Sequence, residues 1–172
     1  MSKIQRDYDL VEAANAIAVD CITLRMWLAP GSDKGPDPAG FRFSVWDVAH
    51  LRVARELIKR GTSVEPAFAL QRARFAVDRT FGEDAASGKA ALIAEERPPV
   101  YLVVTKDGLE TGGIRLITVQ PGDLEALREV DDAVYQGATV LMIENLVMDA
   151  WYSLPNLPAE VSLFLEQRRT KL

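Results

Sequence analysis

Three helix-start signals crowd into residues 9–47, and their spacing leaves this chain few ways to fold. Asp9 is followed three residues later by Glu12, the spacing of a capping box. Leu10, Ala13, Ala14 and Ile17 then recur at intervals of three and four, which predicts one apolar helix face over roughly 9–18. After a turn at Ala18-Val19, Asp20 is placed to cap a second helix over roughly 20–28, carrying Ile22, Leu24, Arg25 and Trp27. Two helices this close in sequence must cross. Ala13 and Ala14 are small enough to let them approach, as a helix-turn-helix requires. Ser44 with Asp47 repeats the capping pattern and opens a third helix through Val48, Leu51, Ala54, Leu57 and Ile58, ended by Gly61. Between the second and third helices, Pro30, Pro36, Pro38, Gly31 and Gly35 exclude helix, so Leu28 to Ala39 is expected to be a hairpin or loop.

A further set of residues appears in order along the same stretch. Tyr8 opens the first helix, Glu12-Ala13-Ala14 follows, Val19 holds the turn, and Thr23-Leu24-Arg25 and Trp27 lie on the second helix. Gly40-Phe41-Arg42-Phe43-Ser44 precedes Asp47-Val48, Leu51, Glu56-Leu57 and Gly61. Taken together, residues about 8–70 resemble the DNA-binding domain of MerR-type regulators, a winged helix-turn-helix. Two departures stand out: Ala18 replaces the family's usual glycine, and Asp20, Cys21 and Ile22 replace a more polar start to the recognition helix.

The resemblance implies a set of DNA-facing residues. A recognition helix reads base edges in the major groove, where arginine pairs with guanine or anchors on phosphate. Thr23 and Arg25 occupy that helix, and Arg42 and Phe43 the wing, with Lys34 on the loop before it. Tyr8 has two readings, a hydroxyl donated to phosphate or a structural role in the first helix. Arg25 as an ordinary solvated arginine is the alternative to base contact. Phe41, Phe43 and Trp46 belong to residue types more often found in a core.

The remainder of the chain changes character. Thr62 or Ser63 is placed to cap a fourth helix with Pro66 in its first turn, reaching about Thr80. Phe81 to Gly88 is a candidate linker. Val100 to Thr105 is dense in β-forming residues, Ile114 to Val119 gives a second strand, and Ala138 to Ile143 a third. Between the last two, Gly122-Asp123 opens a helix with Leu124, Leu127, Val130 and Val134 on one face, ended by Gly137. A short helix at 149–152 and a terminal amphipathic helix over 158–169 complete the pattern. The prediction is a mainly α N-terminal winged helix-turn-helix, residues 1–80, followed by a small α/β domain, residues 81–172, for dimerisation or effector sensing.

Charge divides along the same line. Residues 1–75 hold 11 Lys+Arg and 9 Asp+Glu, net +2, and residues 76–172 hold 9 and 16, net −7, giving −5 for all 172 residues. A mildly basic front on an acidic back suits a DNA-reading head whose body is held away from phosphate. Cys21 is the sole cysteine, which excludes an intrachain disulfide and favours a reducing cytoplasm. No run of about 18 apolar residues spans a membrane, and residues 1–7 have no apolar core of a signal peptide.

Catalytic patterns are lacking. His50 is the one histidine and lies on a predicted helix; Gly112-Gly113 reads as a turn. Asp123, Glu125, Glu129, Asp131 and Asp132 read as a solvated acidic face. No catalytic residue, metal site or cofactor is expected.

The expected function is that of a sequence-specific transcriptional regulator, not an enzyme, with double-stranded DNA as partner and a small-molecule effector as an option. The same winged helix also serves DNA-architecture proteins, such as excisionases and small terminase subunits, which is the competing reading. A homodimer is expected because two-fold symmetry matches paired half-sites. The family dimerises through a long helix after the DNA-binding domain. Here only about 64–80 is available, so the α/β part is expected to supply the contact.

Overall fold

The computed structural model describes residues 7–29, 40–60, 66–81, 98–104, 114–120 and 122–170. Within them, each predicted cap is made. Glu12 N–H donates to Asp9 Oδ1 at 2.8 Å, and the Glu12 carboxylate accepts from Asp9 N–H at 3.1 Å, starting α1 at Leu10–Ala16. Thr23 N–H donates to Asp20 Oδ1 at 2.8 Å at the head of α2, Cys21–Leu28. Ser44 Oγ accepts from Asp47 N–H at 3.1 Å, and Asp47 Oδ2 accepts from Ser44 N–H at 2.8 Å, opening α3, Val45–Arg60. α4 follows at Pro66–Phe81. The loop expected over Leu28 to Ala39 lies largely outside the described residues, as do Gly61 to Glu65 and the linker beyond Phe81.

The back half holds β1 (Val100–Val104), β2 (Ile114–Thr118), α5 (Leu124–Tyr135), β3 (Thr139–Met142), α6 (Ile143–Tyr152) and α7 (Ala159–Arg169). The sheet order is β2-β1-β3, with β1 antiparallel to both neighbours: Leu102 lies opposite Leu116 on one side and Leu141 on the other. β2 and β3 therefore run parallel to each other, and the α5 connection carries the chain past β1. Alternation assigns the two faces of β1. Val100, Leu102 and Val104 join the main helical core, whereas Val103, with Tyr101 beside it, packs with Ile117, Val119, Val130 and Ala133 under α5. A strand covered on both faces needs the unbroken apolar run that Val100 to Val104 provides.

One expectation changes. The apolar run ending in Ile143 is shared between strand and helix: β3 stops at Met142, and α6 starts at Ile143 rather than at 149. Ile143, Val147, Ala150 and Trp151 are fully buried at helical spacing, so burial along one helix face wins over strand propensity. Asp123, expected to open α5, caps it by accepting from Ala126 N–H at 2.9 Å.

Packing also runs across the expected division at residue 81. One hydrophobic cluster contains Leu24, Leu57 and Val77 from the front and Val100, Trp151 and Phe164 from the back. Trp46, Phe81, Trp151 and Phe164 form an aromatic group with centroid separations of 5.1–6.1 Å, mostly edge-to-face. The Trp151 indole N–H donates to the Val45 carbonyl at 2.9 Å, tying α6 to the first turn of α3. A bidentate pair, Arg168 on Glu144 at 2.8 and 3.2 Å, then holds α7 to α6.

Candidate nucleic-acid interface

The candidate interface is built from α1, the turn after it, α2 and the returning segment 41–43. Ala13, Ala14, Ile17 and Leu24 are fully buried, which sets α2 closely across α1. Between the helices Ala18 adopts φ 55°, and Val19 N–H reaches back to Ala14 O at 3.0 Å. Residues 41–43 are anchored to the start of α1: Tyr8 and Phe43 exchange backbone hydrogen bonds of 2.7 and 2.9 Å. Strand alternation then separates the side chains. Phe41 and Phe43 stack on one side at 6.0 Å, and Arg42 lies exposed on the other.

The expected site residues divide accordingly. Arg42 is exposed, and its guanidinium donates to the Phe41 carbonyl at 3.2 Å. Arg25 is half-buried on α2, and its Nε is enclosed without a hydrogen-bond acceptor. Thr23 is half-buried and its hydroxyl donates to Asp20 at 2.5 Å. Those bonds from Thr23 hold the Asp20 carboxyl below its ordinary range, so the head of α2 carries a fixed negative charge. Tyr8 is fully buried and Phe43 nearly so; both serve the core rather than offering a side chain to a ligand. Both rings belong to the main hydrophobic cluster. Lys34 lies outside the described residues.

Ile22 and Met26, neither of them expected as a contact residue, complete the outer face of α2. Ile22 is 70% exposed and Met26 65% exposed, with Arg25 beside them. Each lies two positions from the buried Leu24, hence on the opposite side of the helix. That spacing was the available signal.

On α3, Arg52 and Arg55 are committed elsewhere. Arg52 and Arg55 both bond the buried Glu56 carboxylate, and Arg52 approaches Asp149 at 3.8 Å. Burial alone would raise the Glu56 carboxyl, but the two guanidiniums outweigh it and hold the group below its ordinary range. These arginines join α3 internally and to α6, rather than forming a free basic surface. Among the described residues, no helix is long and apolar enough to cross a membrane.

No protein-family model, curated protein or solved structure matches this chain.

Proposed function

We propose that this chain is a sequence-specific, MerR-like transcriptional regulator that binds double-stranded DNA as a homodimer. The observation that supports this reading best is the capped α1–turn–α2 pair with the Arg42 segment pinned beside it through Tyr8 and Phe43. α2 would enter the major groove. Its outer face, Ile22, Arg25 and Met26, combines a guanidinium that suits guanine with apolar groups that suit thymine methyls. Arg42 would lie along the phosphate backbone. Two copies would supply the paired half-sites that one small module cannot read alone.

Selection of bound fragments from genomic DNA with the full chain tests this directly. The expected product is a short two-fold motif. Arg25→Ala should then cost about 1–3 kcal/mol on that motif and little on random DNA. Arg42→Ala should weaken both and reduce the salt slope by about one unit. Failure to enrich any sequence, with neither substitution altering binding at any salt concentration, would sink the proposal.

A further inference from the structure

α5 is the outermost layer of the fold. Val130 and Ala133, with Ala126, face the sheet, and the opposite side of the helix has no covering layer among the described residues. On that side Leu124 is 67% exposed, Leu127 42%, Val134 55% and Tyr135 95%. At about 100° per residue these four fall within an arc of about 120°, together with Arg128 and Asp131. Glu125, Glu129 and Asp132 fall beyond its edge. The stripe is thus four apolar side chains, one cation and one anion.

Its ends and its charges are symmetric about the middle of the helix, between Glu129 and Val130, whereas Leu127 and Val134 mirror onto Asp132 and Glu125. Leu124 and Tyr135 are the two ends, and Arg128 and Asp131 are equally far from the centre. A second α5 laid antiparallel across that midpoint sets Leu124 against the second copy's Tyr135. It also sets Arg128 against the second copy's Asp131, and the two-fold axis repeats both contacts. Among the described residues neither Arg128 nor Asp131 is engaged in an ion pair within its own chain. A parallel arrangement would bring like charges together at both positions.

We infer that this face of α5 is a two-fold interface for a second copy of the chain. The inference rests on the proposed homodimer for its setting and identifies the surface that forms it. α5 is about 18 Å long, so this contact alone is smaller than a standard interface and weak. Adjacent half-sites would then strengthen pairing by raising the effective concentration of one copy near the other.

Sedimentation of the full chain without DNA tests the interface, using wild type, Arg128→Asp, Asp131→Arg and the doubly reversed variant. Wild type should show a concentration-dependent dimer. Each single reversal should weaken it about tenfold or more, and the double reversal should restore it. Thermal melting monitored by circular dichroism confirms that all four remain folded. A wild type that stays monomeric, single reversals without effect, or a double variant as weak as the singles would overturn the inference. DNA selection with the same proteins separates the two ideas. A charge-dependent dimer that selects no sequence removes the DNA-reading proposal and keeps this interface, and a monomer that selects one removes this interface and the homodimer but keeps DNA recognition.

Discussion

Ala18 occupies the left-handed region at φ 55°, where a Cβ is strained. Replacing it by glycine removes that strain but adds freedom to the unfolded chain, so Ala18→Gly should stabilise by up to about 1 kcal/mol in urea titration. Ala18→Val should destabilise instead; equal midpoints for all three would deny that the turn is strained. Glu56 sits at the other extreme, buried with two guanidiniums. Glu56→Ala leaves those cations facing a void and should cost about 3–5 kcal/mol by the same measurement. His50 shows a third case. Burial pushes it below its ordinary value of 6.5, outweighing the pull of Asp78, 3.8 Å away, and of Asp47. The unfolded chain therefore binds a proton more readily than the folded one. This contribution is full above about pH 6.5 and is lost as pH falls toward the lower folded value. Comparing denaturation at about pH 7 and about pH 5, His50→Gln should lose less stability than wild type; an equal loss would mean that His50 is not the group responsible.

Elements differ in how much of them could be read from sequence. The caps at Asp9, Asp20 and Ser44 were legible because donor and acceptor lie within three residues. The pairing of Tyr8 with Phe43 was not, because it depends on the chain's return, and it turns two expected DNA contacts into core. The boundary between β3 and α6 was obscured because an apolar run suits either element until its neighbours are known. α6 itself is held by Trp151, which is fully buried, fills the aromatic group and reaches the Val45 carbonyl. Trp151→Ala should therefore cost about 3–5 kcal/mol. Trp151→Phe should recover much of that loss while leaving Val45 O without its donor. If the alanine variant lost less than about 1 kcal/mol in chemical denaturation, the tie between α6 and α3 would not be structural.

At the scale of the molecule, the charge asymmetry marks two halves but the core does not. α6 covers α3 and α4, and the cluster passes from Leu24 to Phe164. A fragment of residues 1–80 would expose that covered face. It should melt without a cooperative transition, whereas the full chain should show one transition by both near- and far-ultraviolet circular dichroism. Two separated transitions in the full chain, or a cooperative melt of the fragment, would show that the halves fold independently.

The hydrogen bond from Trp151 to Val45 spans 106 positions, and it sets an order of events during synthesis. α3 emerges from the ribosome before α6, and its aromatic lid is made only when the chain has grown 106 positions beyond Val45. At roughly 5–20 residues per second, the front helices wait several seconds for the contacts that close them. Proteolysis of ribosome-stalled chains should find α3 cleavable in nascent chains that end before residue 151 and protected once α6 has emerged. Protection of α3 in the shorter chains would show that the lid is dispensable. The surface proposed to meet DNA would thus be completed only after α6 has been made, well after its own helices.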